Sequence, residues 1–390
     1  MKGIRISTAF GIPLKLNWTF LLVLPLFATF IAWDIAQLVS VINGTFTTTI
    51  DPDPLTVGLT PWILGSVSAL GLFFGVLLHE LGHSLIAMRY GYQIDSITLW
   101  LLGGVASFTD FPEDWRHEFW IAIAGPVVSV LVGVVSYVAF VALGPNIDMA
   151  RFVFGYLAIL NVVLAAFNLL PGFPMDGGRI LRALLARTRP HAQATQQAAT
   201  VGKLFAFGLG IVGVFGNWFL IILAFFIYMA ASSEAQQTTI KAAFEGMIVG
   251  DVMTTKANLK TIAEDTSISD LVNRMFDERH TGYPVVKDGD LVGMVTLEDI
   301  ADVDEVERDA IRVGDVMSTD IQTVTVDADA MVVLQRMQQH DVGRLPVVND
   351  TGTLIGIISR TDLMGAFSVI QEGGVPQRLR RSPVPLVRGR

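Results

Sequence analysis

The sequence predicts a multi-pass α-helical membrane protein that continues into a soluble α/β domain built from an internal repeat. The chain of 390 residues is 52% hydrophobic and has a mean hydropathy of +0.54, which is too apolar for an ordinary soluble protein. Residues 247–371 carry 10 Lys and Arg against 22 Asp and Glu, whereas residues 1–246 carry 12 against 13. We therefore expect a membrane domain at 1–246, an acidic soluble domain at 247–371 and a basic, disordered tail at 372–390.

Six apolar segments have the length and composition of transmembrane helices. The first lacks a small-residue cleavage site, so we expect it to remain as a span rather than to be removed as a signal peptide. The last two are expected to form a helical hairpin. Six spans place both termini on the same side of the membrane. The segments lie near 16–41, 61–88, 117–143, 151–170, 197–215 and 217–232.

The distribution of Lys and Arg predicts which side faces the cytoplasm. The loops at 42–60, 144–150 and 216–217 contain neither residue, whereas the opposite flanks are basic. Because cytoplasmic loops are enriched in Lys and Arg, we expect both termini and the soluble domain in the cytoplasm, with the spans in the cell membrane. One outer loop contains the sequon Asn43-Gly44-Thr45, which we interpret as a chance tripeptide.

Two histidines lie at the end of the second apolar segment. Residues 61–78 contain no charged side chain and are followed at once by His79-Glu80-Leu81-Gly82-His83. The imidazoles of His79 and His83 leave one helix face and can bind one metal ion. Glu80 can act as a general base toward an attacking water. Ionisable groups are costly at membrane depth, which favours a functional site over a merely polar helix face.

A catalytic zinc site usually has three protein ligands and one open position. The chain contains no cysteine, so the third ligand is expected to be a histidine or a carboxylate. Asp176 is the best candidate, because it is the one acid in the segment Asn168–Arg179, which two prolines hold extended. Asp176 could instead cap the helix that follows it. His117 and His191 are interpreted as interfacial residues.

These two motifs together resemble the site-2 protease family of intramembrane zinc metalloproteases, peptidase family M50. That family pairs HExxH on one transmembrane helix with an Asn-x-x-Pro and Asp-Gly motif on a later one, and both are present here in that order. The resemblance implies that His79, His83 and Asp176 are the ligands of one Zn²⁺ and that Glu80 is the general base.

The resemblance also indicates a substrate cleft. Asn168 and Pro171 are expected to shape it, although Phe173 stands where many members have a further proline. The segment with Gly103 and Gly104 fits the family, and alternation over 95–108 predicts a β-hairpin near the active site. A transmembrane helix hides its peptide bonds in hydrogen bonds, so the substrate has to unwind before attack. An unwound substrate can pair with the edge of that hairpin.

Residues 247–367 contain an internal repeat with a period of about 63 residues. Each unit is predicted to form a helix, strands and a helix, and is too small to bury a good core alone. The repeat resembles a tandem pair of CBS domains, at 247–306 and 307–371, through which the chain could form a homodimer. The matching segments are Val249–Thr255 with Val313–Thr319, Pro284–Val286 with Pro346–Val348, and Leu291–Ile300 with Leu354–Leu363.

In CBS domains a Thr or Ser followed three residues later by Asp contacts adenosine nucleotides. Thr296 with Asp299 and Ser359 with Asp362 match that pattern. Each Asp could instead cap a helix, so nucleotide binding and a structural role both stay open. The excess of acids opposes a polyphosphate, so binding should need Mg²⁺ or favour fewer phosphates.

The sequence therefore predicts an intramembrane zinc metalloendopeptidase that cleaves transmembrane segments of membrane proteins near the cytoplasmic side, modulated by the CBS pair. The expected partners are those substrates and the lipid bilayer, and no nucleic acid. A catalytically silent membrane homologue is the first alternative, but a protein that only binds has no need of Glu80. A CBS-gated transporter is the second, and the spans lack both the further charges and the repeat symmetry of a conduction path.

Overall fold

The computed structural model describes residues 3–100, 103–108, 114–144 and 147–371, so the expected basic tail lies outside the described residues. The chain divides into two compact units, Met1–Thr238 and Thr239–Arg390. The first unit is mostly helical and contains one small sheet. Its helices are α1 (Phe20–Trp33), α2 (Ile35–Phe46), α3 (Thr60–Arg89), α4 (Trp115–Ala142), α5 (Asp148–Asn168), α6 (Asp176–Ala186), α7 (His191–Gly216) and α8 (Trp218–Phe244), of which α8 runs on into the second unit.

Five of the described helices, α3, α4, α5, α7 and α8, are long and apolar enough to cross a membrane. Helices α1 and α2 pass the same test only as a pair, and they are bent by 73° at the break between them. The count is therefore five candidate spans, or six if the bent pair is one span. The predicted α7–α8 hairpin is present, and Asn217 separates the two helices by accepting the Phe219 N–H with its side chain at 3.0 Å.

The sheet of the first unit contains the predicted hairpin and two strands that the sequence analysis did not predict. Its described strands are β1 (Ile4–Ala9), β2 (Ile12–Leu16), β3 (Ile94–Trp100) and β4 (Gly103–Phe108), in the order β1-β2-β3-β4. Strands β2 and β3 are parallel, whereas the two outer pairs are antiparallel. Strand β4 is consequently an edge strand.

Helix α3 is central in the first unit, because it packs against α1, α4, α5 and the strands β3 and β4. Leu64 and Ala69 near its start join a core with side chains of α1, α2 and α5. Leu81 near its end packs on Ile12 and Ile97 of the sheet. Burial on these sides places the His79 and His83 side chains inside the unit rather than on its surface.

The described part of the second unit contains one sheet of four strands and one of three. Helices pack on both sheets around two cores. The elements are α9 (Val249–Val252), β5 (Thr254–Thr255), β6 (Ile262–Ala263), α10 (Ile268–Glu278), β7 (Gly282–Lys287), β8 (Asp290–Thr296), α11 (Val313–Val316), β9 (Val324–Thr325), α12 (Ala330–Gln339), β10 (Arg344–Val348), β11 (Leu354–Ser359) and α13 (Arg360–Gln371).

Each repeat of the second unit completes the core of the other. Val249, at the start of the first repeat, is buried among second-repeat residues such as Val347. Val313, at the start of the second repeat, is buried with Val285 and Val295 of the first. Strand β5 also pairs with β11 across the repeats. This exchange agrees with the expectation that neither repeat buries a sufficient core alone.

The two repeats end differently. The second ends in α13, whereas the chain after Thr296 forms turns and a short 3₁₀ helix at Glu305–Glu307, so the helix expected at the end of the first repeat is absent there. This segment carries acids at 298, 299, 302 and 304 as well as within the 3₁₀ helix. Like charges three and four residues apart disfavour an α-helix.

Candidate metal centre

Three donor atoms from two helices converge inside the first unit. His79 Nε2 and His83 Nε2 lie 3.1 and 3.2 Å from Asp176 Oδ2, and 3.1 Å from each other. All three residues are buried. A tetrahedral zinc ion with bonds of about 2.0 Å has ligand atoms roughly 3.3 Å apart. The spacing and chemistry of this donor set therefore fit three ligands of one zinc ion.

Local structure explains this convergence. Helix α3 places His79 and His83 one turn apart on its buried face, as the i, i+4 spacing predicts. Asp176 is the first residue of α6, and its Oδ2 faces the histidines. The neighbouring N-cap residue Met175 makes no side-chain capping hydrogen bond. The Asp176 Oδ2 atom therefore contacts the two histidines rather than capping the start of α6.

Outer hydrogen bonds orient both imidazoles. His83 Nδ1 donates to the Ile121 carbonyl oxygen at 2.7 Å, which leaves the His83 Nε2 lone pair facing Asp176. His79 Nδ1 lies 2.9 Å from Ser129 Oγ. A buried lone pair that faces a carboxylate oxygen is unfavourable unless a proton or a metal ion lies between them. Metal-binding histidines usually have such partners on the second ring nitrogen. The sequence analysis missed both partners, which lie on α4.

Helix α4 also leaves the space in which the donor atoms meet. A Cβ built on Gly125 would overlap His83 Nε2 and would lie 2.7 Å from His79 Nε2. Any residue larger than glycine at 125 would push the imidazoles away from Asp176. The glycine at position 125 thus has a steric reason in this chain.

The predicted general base, Glu80, packs against strand β4 of the sheet. A Cβ built on Gly104 of β4 would overlap Glu80 Cγ and would lie 3.2 Å from Glu80 Oε1. Gly103 is the first residue of the same strand and pairs with Trp100 across the hairpin. The structure therefore brings Gly104 together with Glu80 and places Gly103 beside it in the edge strand. Residues 101 and 102 of the predicted segment lie outside the described residues.

The remaining predicted cleft residues lie just before Asp176 in the chain. Asn168 ends α5 and donates from Nδ2 to the Leu164 carbonyl oxygen at 3.0 Å, while Pro171 is exposed. Among the described contacts, neither residue touches the three donor atoms. Phe173 is instead buried, and it packs against a cluster of small side chains on α7 and α8, namely Ala198, Ala199 and Ala231.

The two hydroxyl and carboxylate pairs of the second unit have matching geometry. The Thr296 hydroxyl and backbone N–H both donate to Asp299 Oδ2 at 2.7 Å. The Ser359 hydroxyl and N–H donate to Asp362 Oδ2 at 2.7 and 2.9 Å. Both carboxylates therefore already accept two local hydrogen bonds at the ends of β8 and β11. This arrangement is compatible with a structural role. The second oxygen of Asp299, Oδ1, accepts a longer hydrogen bond of 3.3 Å from the Ser318 hydroxyl.

Comparison with known proteins decides the family. The model of peptidase family M50 matches residues 67–149 and 145–209, and the CBS domain model matches 249–305 and 313–369. Zinc metalloprotease MJ0392 of Methanocaldococcus jannaschii is 33% identical over 370 residues, which are 95% of this chain and 97% of that protein. The chain belongs to peptidase family M50. It is a zinc metalloprotease of the site-2 protease type that carries a tandem pair of CBS domains.

One further curated relative matches nearly the whole chain, and one solved structure matches part of it. The M50 chain is 30% identical to putative zinc metalloprotease sll0528 of Synechocystis, over 93% of its own length and 95% of the relative. Among solved structures, the site-2 protease from Methanocaldococcus jannaschii is 34% identical and covers 60% of this chain and 95% of its own, with a TM-score of 0.41.

Proposed function

We propose that this M50 protease is an intramembrane endopeptidase that cleaves transmembrane segments of membrane proteins near the cytoplasmic side. The observation that carries the proposal is the buried convergence of His79, His83 and Asp176 beside Glu80. These three residues would hold one Zn²⁺, which when bound polarises the scissile carbonyl and lowers the pKa of a water.

The residues of the chain have separate tasks in this reaction. Glu80 takes the proton of the attacking water on a carboxylate oxygen and delivers it to the leaving nitrogen. Ser129 Oγ and the Ile121 carbonyl hold the outer nitrogens of the two imidazoles, so that both Nε2 atoms face inward. The backbone at Gly104 limits where the Glu80 side chain can lie.

The substrate is a transmembrane segment that unwinds and adds to strand β4. This strand is an edge of the sheet, so its outer hydrogen-bonding groups are available to a further strand. Its residue Gly104 lies against Glu80, which places a paired peptide close to the general base. Helix-weakening residues in the substrate should therefore matter more than any one side chain. Asn168 and Pro171 are proposed to border the same cleft.

The proposed topology has six spans, counting α1 and α2 as one, with both termini and the CBS pair in the cytoplasm. The basic flanks support it, because the loops on the other side lack Lys and Arg. Arg151 near the outer end of α5 does not contradict this assignment. Its side chain is buried, lies 3.4 Å from Asp148 and donates to Thr48 Oγ1 at 2.5 Å.

Cleavage of a model transmembrane substrate by the purified chain in lipid vesicles tests this function. We expect cleavage within the apolar segment near its cytoplasmic end, mapped by mass spectrometry. Chelation should abolish it and added zinc should restore it. Cleavage confined to loops outside the bilayer, or cleavage that persists after complete metal removal, would contradict the proposal. An exposed substitution, Glu245→Gln, is the control and should keep the wild-type rate.

We also propose that the CBS pair binds an adenosine nucleotide that modulates the protease. The matching geometry at Thr296 with Asp299 and at Ser359 with Asp362 supports this. At the first pair, a ribose hydroxyl would replace the 3.3 Å hydrogen bond that Asp299 Oδ1 accepts from the Ser318 hydroxyl. Calorimetry of the full-length chain with AMP, ADP and ATP, with and without Mg²⁺, tests it. Heat and a thermal shift are expected. If no nucleotide produces either, the pair is a dimerisation or docking module instead.

A further inference from the structure

A buried ion cluster joins three helices of the first unit. Arg182 of α6 is only 6% exposed, although it carries a full charge. Its Nε donates to Glu118 Oε1 of α4 at 2.6 Å, and its Nη1 donates to Glu234 Oε1 of α8 at 2.5 Å. Glu118 is buried as well, whereas the Glu234 side chain is 37% exposed. Neither the metal ligands nor Glu80 belong to this cluster.

Stability alone is a poor reason for such a cluster. Taking ions out of water offsets most of their attraction, and replacement of a buried ion pair by apolar residues is often neutral or stabilising. What an ion pair supplies is a defined geometry, because a guanidinium accepts only certain positions of its carboxylate partners. The helices that Arg182 joins therefore indicate which part of the fold the cluster holds in place.

The cluster connects the elements that build the metal centre. Glu118 lies one turn before Ile121 on α4, the helix that orients His79 and His83 through Ile121 and Ser129. Arg182 lies on α6, the helix that begins with Asp176. The bond between Arg182 and Glu118 thus joins the helix behind the histidines to the helix that carries the third ligand.

Arg182 also contacts the loop that leads into Asp176. The Arg182 Cζ atom lies 5.1 Å from the centre of the Phe173 ring, three residues before Asp176. Phe173 is 2% exposed. A proline in its place would offer no aromatic face to a guanidinium. The ring and the guanidinium therefore hold together the loop that leads into Asp176 and the helix that follows it.

We propose that Arg182 is a positioning residue that holds Asp176 against His79 and His83. It does so by fixing α6 relative to α4 and α8 and by stacking on Phe173. The inference rests on the proposed role of Asp176 as a metal ligand. A lysine at 182 could not satisfy two carboxylates and a ring face at once, because its ammonium is a single point charge.

Zinc affinity and steady-state kinetics of the full-length protein test this role. Zinc affinity is measured by competition with a chelator, and rates are normalised to the folded fraction from gel filtration. Arg182→Ala should weaken zinc binding by about 10-fold, the lower end of the effect of removing a direct partner of a ligand, because Arg182 acts on Asp176 only through α6 and the preceding loop. The kcat of Arg182→Ala should fall while its KM stays close to wild type. The zinc affinity and kcat of Arg182→Lys should lie between those of wild type and those of Arg182→Ala. Arg89→Ala, which removes an exposed arginine at the end of α3, is the control and should match wild type.

Milder variants keep the test decisive if Arg182→Ala does not fold. Glu118→Gln and Glu234→Gln preserve side-chain shape and remove one charge each. Glu118→Gln should weaken zinc binding more than Glu234→Gln, because Glu118 is buried and Glu234 is partly exposed. Variants that melt at lower temperature but bind zinc and turn over like wild type would show a merely structural cluster and overturn the inference.

Asp176→Ala, measured alongside, separates this inference from the proposed function. If Asp176→Ala loses zinc but the Arg182 and Glu118 variants keep wild-type affinity, only the positioning role is wrong. If Asp176→Ala itself binds zinc and cleaves substrate like wild type, the ligand set of the proposed function is wrong and the positioning role is wrong with it.

Discussion

Gly104 lies directly against the side chain of Glu80, with no room for a Cβ between the strand backbone and the carboxylate. Strand β4 is also an edge strand. In the proposed mechanism one strand therefore both receives the substrate and sets the position of the general base. Errors in its placement should affect the chemical step more than metal binding.

Gly104→Ala should reduce turnover strongly without loss of zinc. The added methyl group would displace the Glu80 carboxylate, and a misplacement of about 1 Å can cost roughly 100-fold in rate. The measurement is kcat together with zinc content by elemental analysis. Gly208→Ala is the control, because a Cβ at that helical position meets no neighbouring atom within 4 Å. Full activity of Gly104→Ala would mean that Glu80 is not held by β4.

Ser129→Ala should weaken zinc binding by about 10- to 100-fold, because His79 loses the partner of its outer nitrogen. Competition with a chelator measures the change. Ser136→Ala removes another buried serine of α4, two turns further along, and should leave the affinity unchanged. Equal zinc affinity in both variants would exclude Ser129 from orienting the imidazole.

Asp362→Asn separates nucleotide binding from helix capping. Asparagine keeps a side-chain oxygen that can accept from the Ser359 hydroxyl and N–H at the start of α13, so the thermal stability should stay near wild type. A ribose hydroxyl would lose a charged acceptor, so AMP affinity should fall about 10- to 100-fold. Asp329→Asn, which alters the cap of α12 in the same repeat, should leave AMP binding unchanged. A variant that binds AMP like wild type would assign Asp362 to capping alone.

Features that depend on local spacing could be predicted from the sequence. The i, i+4 spacing of His79 and His83 fixes their common face, and Asp176 was identified as the one acid in its segment. The sequon was interpreted as a chance tripeptide, and the structure gives Asn43 another role. Asn43 lies in α2, and both polar atoms of its side chain bond to the backbone of Ile50.

Features that depend on how distant segments meet could not be predicted. The hydrogen bonds from the imidazoles to Ser129 and to the Ile121 carbonyl depend on how α4 packs against α3, which local sequence does not specify. Glu118, Arg182 and Glu234 lie on three different helices and far apart in the chain, so nothing local indicates that they form a cluster. Strands β1 and β2 are short, and β2 pairs with β3 about eighty residues away in the chain.

The most direct test of the account compares zinc content and cleavage rate in wild type and Glu80→Gln. Glutamine preserves the size of the side chain but cannot accept the proton of the attacking water. We predict one zinc per chain in both proteins, with the same thermal stability, and a rate at least about 100-fold lower in the variant. Cleavage by purified Glu80→Gln at a rate close to wild type, with zinc bound, would contradict the assignment of Glu80 as the base of an intramembrane metalloprotease.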